Sequence, residues 1–311
     1  MAPMFKRIAI VGATGPTGRA LAYELLGRKR AVRVVSRRAD ALKACFPAQE
    51  LEKTPGDAMQ FASLAAALEG CDLVIDCIGL AGEHMAEHPA TARNIARVVR
   101  ASGARCLQVS SYWSFMPIGK LPLSERHPRQ GGPPWARFRR EAEDVLRDAG
   151  AAIVHLPDFF GPHVHTSTLQ LALIDAVSGR PMSWIGPAHV ERDYLYVPDA
   201  MRVVAELLTR EEAYGTDWIV PGAGPVSALR VAAILTPLLD REVRVRAAPP
   251  WLLRILGLFK KDLRGFMQVV PEYVKPISFD GAKLARLLGG TARTPYEDAL
   301  RLTLASIRLR T

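Results

Sequence analysis

Between the apolar run Ile8-Ala9-Ile10-Val11 and a helical pattern beginning at Gly18 stand Gly12-Ala13-Thr14-Gly15-Pro16-Thr17-Gly18, with three glycines at GxxGxxG spacing. Glycines so placed allow a tight turn at Gly12, close backbone approach to a pyrophosphate at Gly15, and helix–strand packing at Gly18. The helix N-terminus behind them offers free N–H groups and the positive end of a dipole to an anion. Gly12, Thr14, Gly15, Pro16, Thr17 and Gly18 are therefore the candidate diphosphate residues of a dinucleotide site. About twenty residues on, an NAD-selective site would place an acid to hold a ribose hydroxyl. Here the segment reads Val34-Val35-Ser36-Arg37-Arg38. A serine hydroxyl and guanidinium groups suit a 2′-phosphate, which an acid would repel. Ser36, Arg37 and Arg38 thus point to NADP(H) as the cofactor.

The elements that position these residues alternate. Strands are expected at 7–11, 32–36, 73–78, 106–110 and 152–156, and helices at 18–26, 39–45, 61–68, 91–101 and 137–148. Apolar strands alternating with helices imply parallel crossover units covered on both faces. The fold class expected is α/β, a Rossmann-type doubly wound parallel sheet with a smaller C-terminal substrate-capping region. Residues 1–162 form the expected dinucleotide-binding domain. Residues 163–311 form mainly the capping region, with about 188–215 returning to the first domain; helices are expected there at 198–208 and 226–239, between Pro/Gly-rich joints.

The 311 residues carry 41 Lys and Arg against 31 Asp and Glu, a net charge of +10, and 49% hydrophobic residues. This balance excludes a disordered chain, and no apolar run is long enough to span a bilayer. The basic excess is scattered without a nucleic-acid recognition motif, so it is read as steering anionic small molecules. The amphipathic run 251–261 reads as a packed surface helix before a membrane-surface one. The start shows no signal-peptide pattern, and Cys45, Cys71, Cys77 and Cys106 form no CxxC pair. A cytoplasmic location follows as the expectation, with a small-molecule substrate, no nucleic acid, no membrane, and a homodimer left open. His84 and His88 are four apart but lack the HExxH pattern, and His163 and His165 have no clear third ligand, so no metal is expected.

The GATGPTG turn resembles that of the short-chain dehydrogenase/reductase superfamily, in its extended or atypical branch related to epimerases, dehydratases and NmrA-like proteins. The likeness continues in order along the chain. Pro55-Gly56-Asp57 resembles the family's adenine-contacting aspartate, and Asp76-Cys77-Ile78-Gly79 stands where the fourth strand passes the cofactor. Leu156-Pro157-Asp158-Phe159-Phe160-Gly161-Pro162 resembles the segment that flanks the nicotinamide, and Val197-Pro198-Asp199-Ala200 a helix start of the family. The resemblance adds Asp57, Cys77, Ile78, Gly79, Pro157, Asp158 and Phe159 to the expected cofactor contacts.

The family's carbonyl chemistry uses Ser/Thr with a YxxxK pair, and none of the seven tyrosines here has Lys four residues on. Trp135 stands for the tyrosine and Arg139 for the lysine. Indole has no titratable proton, and arginine can grip ribose hydroxyls but cannot relay protons. At the altered serine position, Ser110-Ser111-Tyr112, a phenol could donate the proton, helped by a nearby Arg139 charge. The candidate catalytic residues are Tyr112, Arg139, Trp135 and Ser111, with Arg139 also counted as a cofactor contact. The sequence supports an NADP(H)-dependent oxidoreductase-like enzyme acting on a small carbonyl-bearing metabolite at an atypical site. Two alternatives stay open: a non-catalytic NmrA-like NADP(H)-binding redox sensor, and a non-redox isomerase or cyclase on the same fold.

Overall fold

The computed structural model describes residues 5–47, 51–249, 251 and 265–309. The chain forms two compact units. The first comprises Met1–Ser114, Trp135–His155 and Ala200–Trp218; the second comprises Phe115–Pro134, Leu156–Asp199 and Ile219–Thr311. This division differs from the expected one in three places. The first unit's segment ends at His155 and not at 162. Phe115–Pro134 goes with the second unit, because the backbone of Leu123 bonds to Ser278 at 2.8 Å and to Asp280 at 2.8 Å. The returning segment is 200–218 and not 188–215, because it ends in a strand of the first unit's sheet.

The first unit is built on β1 (Ile8–Val11), α1 (Pro16–Gly27), β2 (Val32–Ser36), α2 (Ala39–Cys45), β3 (Glu52–Pro55), α3 (Phe61–Leu68), β4 (Leu73–Asp76), α4 (His88–Ser102), β5 (Arg105–Ser111), α5 (Pro134–Arg147) and β6 (Ala152–Leu156). With β11 (Asp217–Ile219), the strands form one sheet in the order β11-β6-β5-β4-β1-β2-β3. From β3 through β5 the pairing is parallel, with Ile8 opposite both Val32 and Leu73. Every residue of β1 and β4 is buried, as strands covered on both faces must be. The amphipathic α4 lays Ala92, Ile95, Ala96 and Val99 into a core shared with Val74, Cys106 and Ile153.

Two local differences from the sequence reading have clear causes. Helix α1 begins at Pro16, two residues early, because proline needs no N–H partner in a first turn and its φ is already helical. Strand β3, Glu-Lys-Thr-Pro, carries no apolar signal because it is the sheet's edge, where polar residues and proline are tolerated. Its Glu52 meets Arg33 of β2 at 2.7 Å, and Arg33 also donates to the carbonyls of Ala67 and Glu69, so the terminal nitrogens of a buried arginine are paired inside an apolar strand while its Nε is not.

The second unit contains β7 (Phe159–Phe160), α6 (Thr168–Val177), β8 (Met182–Ile185), β9 (Arg192–Asp193), β10 (Leu195–Tyr196), β12 (Pro225–Val226), α8 (Ala228–Leu239), β13 (Val245–Ala248), α9 (Val270–Tyr273), α10 (Ala282–Leu288) and α11 (Tyr296–Arg308), while α7 (Val197–Leu207) passes from it into the first. Its core gathers Leu169, Leu173, Trp184, Tyr194, Val231 and Leu300. Arg192, almost wholly buried, donates to the carbonyls of Glu272 and Lys275 and lies over the Tyr273 ring. The amphipathic run 251–261 lies, apart from Trp251, outside the described residues, among which no helix is long and apolar enough to cross a membrane.

A polar chain runs through the first unit. Ser110 Oγ donates to Glu143 Oε1, and Glu143 lies 3.7 Å from His155 Nδ1. His155 Nε2 is 2.8 Å from Asp217 Oδ1, and Arg147 donates to both Asp217 oxygens. Burial disfavours charge on Asp217, but bonds from His155 and Arg147 outweigh it and hold the carboxyl well below the usual carboxylate range. A depressed folded pKa contributes stability above the unfolded value of about 4 and loses it as pH falls further. Asp217→Asn is therefore expected to cost about 2 kcal/mol at pH 7, a deficit that shrinks toward pH 2. Urea unfolding of both proteins at pH 7 and pH 3 measures it; an equal deficit at both values would contradict the assignment.

Candidate nucleotide site

The glycines of the turn do different work. Gly12 has φ +77°, and a Cβ there would stand 2.8 Å from the Cys77 carbonyl oxygen at the end of β4. A Cβ on Gly18 would come within 2.6 Å of the Gly12 oxygen and 2.8 Å of Ala13 Cα. Both are required by packing within the protein. Gly15 is extended at φ −72°, caps α1, and its added Cβ would meet only the Gly12 oxygen at 3.3 Å. Protein packing does not demand glycine at that position. Gly15 borders an open cleft of ≈ 780 Å³, and a bare backbone there is what a close-lying diphosphate requires.

The cleft brings together many of the sequence-predicted residues. Gly12, Thr14 and Gly15 line it from the turn, Ser36 and Arg37 from the end of β2, Asp57 from the loop after β3, and Ile78 and Gly79 from beyond β4. Thr14 Oγ1 and Ser36 Oγ are 3.2 Å apart, which ties the turn to β2. The Asp57 carboxylate accepts the Met59 N–H at 2.9 Å. Arg38 does not line the cleft: it pairs with Asp40 at 2.6 Å, and that bond with the Ala41 N–H lowers the Asp40 carboxyl to about 2. Pro16 and Thr17 form the first turn of α1, where Thr17 bonds the Cys77 thiol; Cys77 itself is buried, and burial raises its pKa. Pro157, Asp158 and Phe159 belong to the second unit, where Asp158 accepts from Tyr273 Oη at 2.8 Å and faces Arg192 at 3.5 Å.

The residues expected to carry chemistry lie deeper. Tyr112 is 1% exposed and does not line the cleft. Ser111 Oγ accepts the Trp113 N–H at 3.3 Å. The Trp135 indole is buried and stacks on Trp113 with centroids 5.7 Å apart. Arg139 is drawn toward a lower pKa by burial, against the charges of Glu143 and Asp76, and its Nε–H is enclosed without a partner. Asp76 accepts the Ile78 N–H and Gln108 Nε2, each at 3.0 Å; burial nevertheless raises its pKa to about 6. Its bond to Ile78 holds the peptide that forms the cleft wall.

Leu80, Glu87 and Thr91 also line the cleft and were missed. Thr91 fits the helical spacing of α4 like any other residue on that face. Only the crossing of α4 against β4 turns that part of it toward the cleft. The cleft lining fits a dinucleotide, with a diphosphate cradle at Gly12–Gly15 and the Ser36 hydroxyl and Arg37 guanidinium at the end of β2; Arg139 does not line it. A Cβ at Gly15 asks the Gly12 oxygen, 3.3 Å away, to give by a few tenths of an ångström and would occupy the position proposed for a diphosphate, so Gly15→Val should abolish dinucleotide binding in a fluorescence titration while the protein stays folded by circular dichroism. Retained affinity would place the nucleotide elsewhere.

Residues 12–156 match the NAD(P)H-binding family. A dTDP-glucose 4,6-dehydratase from Neisseria gonorrhoeae is 25% identical over 191 residues, 58% of this chain and 52% of that protein, so the chain spans about half the length of this relative. Among solved structures, UDP-glucuronic acid 4-epimerase from Bacillus cereus, in complex with UDP-glucuronic acid and NAD, superimposes with TM-score 0.81 at 13% identity, covering 98% of this chain and 100% of that one. A dTDP-glucose 4,6-dehydratase from Bacillus anthracis in complex with NAD gives TM-score 0.80 at 12% identity, covering 97% and 96%. The segment 12–156 thus matches an NAD(P)H-binding family, and the chain shares the fold of these epimerase and dehydratase structures.

Proposed function

We propose that this chain is an NADP(H)-dependent, oxidoreductase-like enzyme acting on a small carbonyl-bearing, sugar-like metabolite at an atypical active site. The observation that carries the cofactor choice is the rim of the cleft at the end of β2. Ser36 and Arg37 line it, no acid follows the strand, and Arg38 is engaged by Asp40. Arg37 is thus the guanidinium available to a 2′-phosphate. The sugar-like substrate is suggested by the epimerase solved with UDP-glucuronic acid. We assign substrate recognition to the second unit.

In this reading, Gly12, Thr14, Gly15 and the first turn of α1 receive the pyrophosphate, Asp57 the adenosine, and Arg139 the ribose next to the nicotinamide. The nicotinamide supplies hydride chemistry when bound. Trp135 contributes an apolar wall, having no proton to give. Tyr112 is the candidate proton donor, with Ser111 beside it. A second reading, a redox sensor that binds without turnover, is favoured by one observation: Tyr112 is 1% exposed and Trp135 is stacked on Trp113.

NADP(H) should bind at least several-fold tighter than NAD(H), and Arg37→Ala should narrow the gap, since a charge-assisted phosphate contact is worth about 1.5–3 kcal/mol. Equal affinities in the unmutated protein would remove the assignment. Turnover is tested by NADPH oxidation against a panel of carbonyl compounds and nucleotide sugars. Tyr112→Phe should slow it by about 10²-fold if the phenol donates the proton. An unchanged rate would take Tyr112 out of the chemistry, and tight binding without any turnover would favour the sensor.

A further inference from the structure

Glu87 is out of place in a cleft read as a seat for an anion. It ends the 3-10 turn Gly82–Glu87 and lines the same cleft as Gly12, Gly15 and Arg37. Asp57 is the other carboxylate of that lining, and it accepts the Met59 N–H. Among the described residues the Glu87 carboxylate has one hydrogen-bond partner: His84 Nδ1, one turn earlier, lies 2.6 Å from Glu87 Oε1. A carboxylate only accepts, so the imidazole donates. The bond from Glu87 and its charge raise the His84 pKa above the usual histidine value; Glu83 adds to this, while desolvation and the charge of Arg37 oppose it. His88, at the start of α4, is pressed the other way by burial and then by the charge of Arg139, so it stays neutral where His84 titrates.

The pair therefore has two charge states. With His84 protonated, its charge cancels that of Glu87, and Arg37 leaves the rim positive. Once His84 loses its proton, the Glu87 charge is uncovered on a wall of the cleft. The two side chains are 58% and 31% exposed, so their bond contributes little to stability. The field in the cleft is a different matter, because a bound dinucleotide phosphate brings several negative charges into it. One unit charge about 7 Å from one phosphate charge changes affinity about threefold even at the dielectric constant of water.

We propose that the His84–Glu87 pair is a proton-operated charge switch on the cleft, by which the chain holds NADP(H) more tightly when His84 carries its proton and less tightly as pH rises. The assignment rests on the nucleotide reading of the cleft. It adds a dependence on pH that the glycine turn and Arg37 cannot supply, since neither titrates in the histidine range. By linkage, bound nucleotide in turn holds the proton on His84.

The test titrates the full chain with NADP+ by calorimetry, in low salt, from about pH 6 to about pH 8.5 across the histidine range. His84→Gln supplies the reference, because it shares the ligand's own phosphate ionisation but has no imidazole. Relative to that reference, the unmutated chain should lose about threefold in affinity as pH rises. Raising the salt to about 0.5 M should flatten the difference. Glu87→Gln should bind about threefold more tightly than the unmutated chain at the alkaline end. Its remaining pH step should have a lower midpoint, since no carboxylate holds the proton. Independently, the His84 ring signal in NMR, identified by its loss in His84→Gln, should titrate at higher pH when NADP+ saturates the chain. An unmoved His84 midpoint would overturn the proposal. If the unmutated chain binds no NADP+ at any pH, the nucleotide reading itself fails and the proposal with it. If all three proteins bind NADP+ with one pH profile, the cleft keeps its nucleotide and only the switch fails.

Discussion

Everything about the cleft follows from how closely two backbones approach where β1 ends. Gly12 leaves the strand with φ +77° and so little room that a single carbon would collide with the Cys77 carbonyl. Gly18 repeats the constraint one turn into α1, against Gly12 and Ala13. With both contacts in place, the N-terminus of α1 is aimed over the ends of the central strands, and Gly15 is left facing open space. The anion cradle is therefore a consequence of packing that would be needed even without a ligand. Gly15 is the one of the three whose added Cβ would meet little of the protein, only the Gly12 oxygen at 3.3 Å.

Beneath that surface the first unit keeps an unusual density of buried polar groups. Asp76, Gln108, Glu143, His155 and His88 all lie within a few percent of full burial. Charged groups are expensive inside a protein unless paired. The pairing here is selective. Glu143 reaches Ser110 and lies against His155, Asp217 is met by both His155 and Arg147, and Asp76 is tied to Ile78. Arg33 Nε, Gln108 Oε1, His88 Nε2 and Arg139 Nε are among the buried atoms left without a partner.

The departures from the resembled family form a pattern around the same spot. Trp135 replaces a residue that would carry a proton, and it is not a vacancy: its ring stacks on Trp113 and is buried. Arg139 keeps a cation where lysine would stand, but is flanked by two carboxylates that moderate the effect of burial on it. A position that had merely decayed would not retain both an aromatic partner and a balanced charge. In the proposed reading the site keeps a cation for the ribose and gives up the ordinary proton donor, so binding and turnover are tested separately.

Much of the first unit could be read from the residues alone. Alternating apolar runs and helical spacings determine a parallel sheet, because strands buried on both faces leave no other economical pattern. The glycine spacing pointed to the turn that borders the cleft, and the absent acid after Val35 is the sequence basis for the proposed preference for NADP(H). Polar edge strand β3 was invisible, since an edge needs no apolar face. The tertiary structure alone decided that Arg38 turns to Asp40 while Arg37 stays at the cleft, and that Phe115–Pro134 joins the second unit. Spacing along the chain encodes local geometry. Which side chains meet across crossing elements is set by how α4 and α5 pack on the sheet, and no local pattern carries that.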